Sequence, residues 1–178
     1  AGDPVPGVVG GRELLQVASQ YVRTRFQGPE SSPGLLLWRS TLAWQRDVAA
    51  ALDPLGLTHS QFVLLACAWW LETHGGAGTQ VMIAAQAGMD VKTASQVLRR
   101  LEAAGYVSRQ QPPGDARARI VSTTAAGREM GNQALSAVEA VDEAYFSSRP
   151  RLRDALIKES SGSDAHRGGK QEHSSTGE

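Results

Sequence analysis

The sequence predicts a mainly helical domain that contains one small β-hairpin, an α+β fold. Helix-capping side chains recur ahead of segments in which apolar residues are spaced three and four positions apart. Two short β-prone runs, 106–109 and 119–122, flank a stretch that contains Pro112, Pro113 and Gly114, which is typical of a hairpin with a long tip. Helices are therefore expected on both sides of a single hairpin.

The composition fits one globular domain. Of 178 residues, 41% are hydrophobic and 20% are charged, which is enough for one sizeable core and excludes wholesale disorder. Lys plus Arg and Asp plus Glu both number 18, so total charge favours neither nucleic acid nor an anionic membrane. The one cysteine, Cys67, cannot form a disulfide within the chain and is typical of the cytoplasm. No apolar run approaches the roughly 18 residues that span a bilayer, so we expect no membrane partner.

Both ends are expected to lie outside the folded domain. Residues 1–11 are rich in glycine and proline, and residues 159–178 have no large apolar side chain, so both predict disordered tails. Apolar residues at helical spacing over 12–27 predict a leading helix. His166 and His173 lack partners at metal-ligand spacing, so we expect no metal site and no cofactor.

The domain itself is predicted over residues 34–158. Its first helix covers 35–52 and is strongly apolar on one side. Thr58 and Gln61 then form a capping-box pattern, in which each side chain accepts a hydrogen bond from the backbone amide of the other residue. A second helix is therefore predicted to begin there and to end at Gly75.

Two short helices with a tight turn between them come next. Thr79 caps the first, which Gly88 closes, and Asp90 caps the second, which Gly105 closes. The spacing predicts a buried stripe on the second helix, formed by Ala94, Val97, Leu98, Leu101 and Ala104. Its outer face is then polar and cationic, with Lys92, Thr93, Ser95, Gln96, Arg99 and Arg100.

Two helices follow the hairpin. Thr124 caps a long helix over 124–146, and Pro150 opens a last one over 150–158. The apolar stripes on these two helices and on 35–52 exceed what the small remainder of the domain can cover. A partner surface is therefore expected.

A helix, a tight turn, a second helix and a β-hairpin, in this order, form a winged helix-turn-helix. The second helix enters the major groove of double-stranded DNA, and the hairpin, or wing, reaches the neighbouring minor groove or the backbone. Residues 58–123 would form this reading head. From Asp90 to Arg119, six cationic side chains against three anionic ones give a local net charge of +3, so the neutral chain contains a basic face.

Three segments resemble the MarR family of bacterial transcriptional regulators, within a match that spans about residues 35–157. Residues 56–62 contain the family's Leu-Thr-x-x-Gln-Phe helix entry, and residues 97–107 are similar to the end of its recognition helix. Residues 115–127 contain Asp-x-Arg-x-Arg and then Thr-x-x-Gly, the most specific of the three. Thr123 stands where the family usually has leucine, at a packing position.

This resemblance implies a sequence-specific DNA-binding regulator, with repression as the default. It would bind a near-palindromic operator as a homodimer whose reading heads lie one helical turn apart. Arg117 would enter the minor groove while Asp115 holds its guanidinium, and Arg119 would either contact DNA or pair with an acid inside the wing. The candidate DNA-binding residues are Lys92, Thr93, Ser95, Gln96, Arg99, Asp115, Arg117 and Arg119.

The resemblance also implies release by a small, often aromatic, effector that binds between the dimerisation helices and the reading head. All four tryptophans lie in helices that would flank this cleft, although they are equally explained as core side chains. Trp69 and Trp70 point about 100° apart, so one of them is predicted to line a pocket. The candidate effector contacts are Trp38, Gln45, His59, Gln61 and Trp69.

Two alternatives stay open at this point. One is a winged-helix protein-interaction module without DNA binding, and the other is a MarR-type thiol redox sensor that uses Cys67. Burial of Cys67 beside Leu64 and Leu65 would raise the thiol pKa and weaken the second alternative. An enzyme is not expected, because the sequence has no glycine-rich phosphate loop, no metal-ligand cluster and no nucleophile elbow.

Overall fold

The computed structural model describes residues 24–111 and 119–168, with side chains described up to residue 160, and divides into two compact units, 1–41 and 42–178. The described part of the first unit contains a 3-10 turn, Pro29–Ser31, and the beginning of helix α1, Pro33–Leu52. The rest of α1 belongs to the second unit.

The end of the predicted leading helix is not helical. Residue 24 has no regular structure and residues 25–28 form bends, while residues 12–23 lie outside the described residues. Gly28 is extended ahead of Pro29, and the ring of a proline disfavours helical backbone in the residue before it. Pro29 explains why no helix continues through Gly28, but apolar spacing alone did not make residues 25–27 helical.

The second unit contains the remaining elements, and it confirms the predicted helical fold with one hairpin. After a 3-10 turn at Asp53–Leu55 come α2 (His59–Gly75), α3 (Gln80–Gln86), α4 (Val91–Ala103), β1 (Val107–Gln110), β2 (Ile120–Thr123), α5 (Ala125–Ser147) and α6 (Pro150–Gly168). Helix α6 continues past residue 158, where the predicted helix ends, so residues 159–168 are helical although the sequence predicts a disordered tail there. The predicted end was the end of the apolar stripe, but polar residues without proline can continue a helix beyond the part that is buried.

Every helix cap that the sequence predicts is confirmed. The side chains of Thr58, Thr79, Asp90 and Thr124 each accept a hydrogen bond from the backbone amide three residues later, at 3.3, 3.3, 2.9 and 2.9 Å. The Gln61 side chain completes the capping box, because its Oε1 accepts from the Thr58 backbone amide at 2.9 Å. These local bonds fix where α2, α3, α4 and α5 begin.

The two strands are antiparallel, and β2 has a second neighbour on its other side. Val107 lies opposite Thr123 across the hairpin. The Val121 backbone amide donates to the Gly78 carbonyl at 3.0 Å, so the residues just ahead of α3 pair with β2. The hairpin is thereby hydrogen-bonded to the segment that leads into α3, and it also follows α4 in the chain.

The core lies around α2, α4, the hairpin and α5. Its fully buried larger side chains are Val48, Leu52, Leu64, Leu65, Ile83, Leu98, Leu101 and Val121. Ala104, predicted to be buried, is exposed, because α4 ends at Ala103 and the chain turns at Gly105 with φ 78°. Several large apolar side chains of α1 and α6 remain exposed: Leu36, Leu37, Trp38, Leu42, Leu156 and Ile157.

None of the described helices is by itself long and apolar enough to cross a membrane. Helix α1 with its following turn, Pro33–Leu55, reaches that length and composition only together with α2, to which it is bent by 79°.

Helix α5 begins against the backbone of the residue that precedes β1. The carbonyl oxygen of Tyr106 accepts from the Thr124 backbone amide at 3.0 Å, and the Thr124 hydroxyl donates to the Gly105 carbonyl at 2.7 Å. A Cβ on Gly127 would lie 1.9 Å from the Tyr106 oxygen. The glycine of the Thr-x-x-Gly motif is therefore required by this close approach.

Replacing Gly127 by alanine should destabilise the domain. The added methyl group meets backbone, which cannot rotate away, so we expect Gly127→Ala to lower the urea unfolding free energy by about 1–3 kcal/mol. Gly34→Ala is the matched control, because its Cβ meets no atom within 4 Å and alanine favours a helix by up to about 1 kcal/mol. Equal unfolding free energies for the two variants would refute the close approach.

Candidate functional site

Helix α4 turns a polar and cationic face away from the core. Its inner side holds the predicted apolar residues Ala94, Val97, Leu98 and Leu101. On the outer side Ser95 is half-buried, and the others are exposed: Lys92, Thr93, Gln96, Arg99 and Arg100. No acidic residue lies between positions 91 and 101. Cations and hydrogen-bonding side chains on one helix face match the phosphates and base edges of DNA.

Two interactions organise this face at its ends. Arg99 lies back along the helix, with Nε 3.3 Å from the Ser95 carbonyl oxygen and Nη2 3.3 Å from the Ser95 hydroxyl. At the beginning of the helix, hydrogen bonds from Thr93 and from the Lys92 backbone hold the pKa of Asp90 below its usual value. The Asp90 carboxylate is thus committed to capping, which leaves the middle of the face to the cations.

The strand β1 is tied to α4 by an ion pair. Arg109 places Nη2 at 2.7 Å and Nε at 2.8 Å from the same oxygen of Glu102, and its side chain is only 16% exposed. The sequence counted Arg109 among the cations of the basic face, but its charge is neutralised here. Arg109 therefore holds the hairpin against the end of α4 rather than facing solvent.

Of the predicted wing residues, the structure describes Arg119. Asp115 and Arg117 lie outside the described residues. Arg119, just before β2, is half-buried, and its carbonyl accepts from the Gln80 backbone amide at 2.9 Å. Its position at the base of the wing is consistent with either of the two roles that the sequence left open.

One cleft lies where α1, the start of α2 and the turn before α4 meet, and we call it the His59 cleft. It has a volume of about 500 Å³ and is lined by Gln45, Thr58, His59, Ser60, Val63, Ala87 and Met89. Two of the predicted effector contacts, Gln45 and His59, therefore share one cleft.

His59 is held by an aromatic contact and a nearby carboxylate. The Trp44 ring meets the His59 ring edge-on, with centroids 5.1 Å apart, and the Trp44 indole N–H donates to Asp142 Oδ1 at 2.7 Å. Burial lowers the pKa of His59, and the Asp142 carboxylate offsets part of that effect. The imidazole is consequently neutral at neutral pH, and the group joins α1, α2 and α5.

A second cleft of about 380 Å³ opens along the later turns of α2, and we call it the Trp69 cleft. It is lined by Ala66, Cys67, Trp69, Trp70, Thr73, Gln86 and Leu135. Both adjacent tryptophans line it, whereas the sequence predicted this for one of them. The Trp70 ring stacks on His74 with centroids 4.3 Å apart, which turns its indole along the helix. Burial raises the pKa of the Cys67 thiol.

The five predicted effector contacts do not share one site. Gln45 and His59 lie in the His59 cleft, and Trp69 lies in the other. The Gln61 oxygen is occupied by the Thr58 backbone and hydroxyl, at 2.9 and 3.0 Å. Trp38 belongs to the first unit and is 61% exposed. The sequence missed Gln86 and Leu135, which come from distant segments and carry no local signal.

A polar cluster joins α2, β2 and α5 close to the Trp69 cleft. The Glu72 carboxylate accepts hydrogen bonds from the hydroxyl of Thr123 and from its backbone amide, the latter at 3.3 Å. Arg128 Nη1 donates to the carbonyl and hydroxyl oxygens of Thr123 at 2.9 and 3.1 Å and lies 3.9 Å from Glu72. Thr123 is buried, as expected of a packing position, but it is held by polar bonds.

Comparison with known sequences gives one family. The MarR family profile matches residues 57–118. The HTH-type transcriptional regulator YdcH of Bacillus subtilis is 40% identical over 133 residues, which cover 75% of this chain and 90% of YdcH. The HTH-type transcriptional repressor Rv2887 of Mycobacterium tuberculosis is 35% identical over 109 residues, or 61% of this chain and 76% of the repressor.

Solved structures agree with the sequence matches. A MarR-family transcriptional regulator from Rhodococcus sp. RHA1 superposes with a TM-score of 0.65 at 26% identity, covering 78% of this chain and 96% of that one. Rv2887 in complex with salicylic acid superposes with a TM-score of 0.54 at 29% identity, covering 73% and 95%. The winged helix-turn-helix arrangement of α3, α4 and the hairpin is therefore that of a known fold.

Acid should lower the stability of this protein partly through His59. Because the folded-state pKa lies below the unfolded value of 6.5, the stabilisation is present above about pH 6.5 and is lost as the pH falls through the folded pKa. Urea unfolding between about pH 7.5 and pH 5 should show a smaller loss in His59→Gln than in the wild type. His74→Gln, at an exposed position, should keep the full loss. Identical pH dependence in all three proteins would contradict the burial of His59.

Proposed function

Because the chain belongs to the MarR family, we propose that it is a sequence-specific DNA-binding transcriptional repressor of the cytoplasm, without catalytic activity, that responds to a small effector. The observation that carries this proposal is the cationic, hydrogen-bonding outer face of α4 in a winged helix-turn-helix. The single cysteine fits a reducing compartment. The relatives named above are transcriptional regulators rather than enzymes.

The protein binds DNA as a homodimer in this proposal. Exposed apolar side chains on α1 and α6, among them Leu37, Trp38 and Ile157, are 58–61% exposed in the single chain. Side chains of this size are normally covered, and a second copy of the same helices is the simplest cover. A twofold dimer presents two copies of α4, so its operator is a near-palindrome with half-sites about one helical turn apart.

Each half-site is read by α4 and contacted by the wing. Thr93, Ser95 and Gln96 offer hydrogen bonds to base edges, while Lys92 and Arg99 contact phosphate or guanine. In the wing, Arg117 enters the minor groove, Asp115 holds its guanidinium, and Arg119 supports the base of the hairpin. This assignment rests on exposure for the helix and on the family motif for the wing.

The two alternatives are less well supported. A protein-interaction module has no need for a helix face that carries three cations and, between positions 91 and 101, no acid, which is what α4 presents. A redox sensor needs a reactive thiolate, but burial raises the pKa of Cys67 and keeps the thiol protonated at neutral pH.

The effector, in our proposal, is a small planar aromatic molecule in the Trp69 cleft. Two indoles line this cleft, and flat rings pack well against them. The Gln86 amide at the cleft provides a polar group that orients a ligand. Rv2887, whose sequence is 35% identical over 109 residues, has been solved with salicylic acid. Gln45 and His59 are the polar candidates of the other cleft.

DNA binding should depend on α4 and on salt. Fluorescence anisotropy with the promoter DNA that flanks the protein's own gene should show binding that weakens steeply with salt. Lys92→Ala should weaken binding and reduce the slope of log affinity against log salt concentration by about 1. Gln96→Ala should relax base preference at one position by about 1–3 kcal/mol. Arg117→Ala should weaken binding most at A·T-rich flanks.

Arg46→Ala, on an exposed position of α1, is the control and should bind like the wild type. If Lys92→Ala and Gln96→Ala also bound like the wild type, α4 would not be the recognition helix. Equal binding of the wild type to random duplexes and to a selected operator would favour the interaction module.

Ligand binding should discriminate between the two clefts. Salicylic acid and neutral salicylamide should both bind the wild-type protein, as measured by the change in tryptophan fluorescence during a titration. Trp70→Leu should weaken this binding by about tenfold, because one aromatic wall of the cleft is lost. Trp70 is preferred to Trp69 for this test because it is 49% exposed and carries less of the packing. Gln45→Ala should leave the affinity unchanged. Weaker binding by Gln45→Ala with unchanged binding by Trp70→Leu would assign the effector to the His59 cleft instead.

A further inference from the structure

The last turns of α2 face two ways. Trp69, Trp70 and Thr73 line the Trp69 cleft, whereas Glu72, in the same stretch, bonds to the end of β2. The Thr73 hydroxyl donates to the carbonyls of Trp69 and Trp70, at 3.1 and 2.9 Å, within the helix. A ligand that displaces these turns would therefore move the Glu72 carboxylate with them.

Thr123 links three elements through one hydroxyl group. It donates to Glu72 on α2 and accepts from Arg128 on α5, and it is the last residue of β2. Leucine, which the family usually has here, could fill the space but could not form either bond. From Thr123, strand β2 leads back to Arg119 at the base of the hairpin, so a shift of this hydroxyl would shift β2.

We propose that the Glu72–Thr123–Arg128 cluster couples the Trp69 cleft to the wing, so that an effector in the cleft weakens DNA binding by shifting β2 relative to α4. This inference rests on the proposed function. The cluster suits a switch because Glu72 and Arg128 are partly exposed, with side chains 27% and 45% accessible, and their charged atoms are 3.9 Å apart. Such an ion pair contributes little stability and is easily opened.

The coupling is thermodynamic. The ligand favours the state in which α2 has moved and the cluster is open, while DNA favours the state in which the cluster is closed and the wing is held. Without the Thr123 hydroxyl the cluster cannot close, so the open and closed states no longer differ in how the wing is held. DNA affinity should then no longer depend on whether the Trp69 cleft is occupied.

Cys67 allows this to be tested with a defined probe. It is the one cysteine of the chain and lines the Trp69 cleft, so alkylation with N-phenylmaleimide attaches one phenyl ring there. Because burial raises the pKa of this thiol, the labelling is done at alkaline pH and carried to completion, as checked by mass spectrometry. Labelling the wild type should weaken operator binding by about tenfold or more. Labelled and unlabelled Thr123→Val should bind the operator with the same affinity. Glu72→Gln, which keeps the size of the side chain but removes its charge, is a second variant in which the effect of the label should be smaller than in the wild type.

Two controls accompany the labelling. Cys67→Ser, treated with the same reagent, should show no loss of operator binding. Ser136→Ala removes an exposed hydroxyl that donates within α5 to the Asn132 carbonyl at 3.1 Å, and it should keep the full effect of the label.

The outcomes separate this inference from the function on which it rests. An equal loss in labelled Thr123→Val and labelled wild type would overturn the coupling while leaving the DNA-binding function in place. Unchanged operator binding by the labelled wild type would overturn it as well. Failure of the unlabelled wild type to bind any operator would remove the proposed function and the coupling together.

Discussion

The structure depends on the junction at which α5 begins. There the Tyr106 carbonyl receives the Thr124 amide, and Gly127 lets the first turn of the helix approach that carbonyl. Because Tyr106 directly precedes β1 and Thr124 directly follows β2, this one contact closes the hairpin and fixes the reading head on the long helix. A side chain at Gly127 would separate parts that act together in DNA recognition.

The same junction explains how sensing and reading can be connected over a short distance. Thr123, next to the cap residue Thr124, is bonded to Glu72 on α2, and α2 forms a wall of the Trp69 cleft. On the other side of the head, Arg109 and Glu102 bind β1 to α4. The hairpin is thus held on one side by α4 and on the other by α2, the helix that lines the Trp69 cleft.

Local signals in the sequence predicted most of the fold, and tertiary contacts account for what they missed. Caps such as Thr58 and Asp90 act within one helical turn, so their hydrogen bonds could be predicted without knowledge of the remaining chain. The bonds of Thr123 could not, because Glu72 is 51 residues away. Gln61 was assigned both to a cap and to an effector site. The cap uses its oxygen, and that conflict was already visible in the sequence.

Site-directed cleavage tests most directly whether the outer face of α4 lies on DNA. In a Cys67→Ser background, a Gln96→Cys variant carrying an iron–EDTA group should cut the operator inside each half-site, with the pattern of major-groove approach. The same group on Glu139→Cys, at an exposed position of α5, should cut weakly or not at all. Cleavage from position 139 without cleavage from position 96 would contradict the claim.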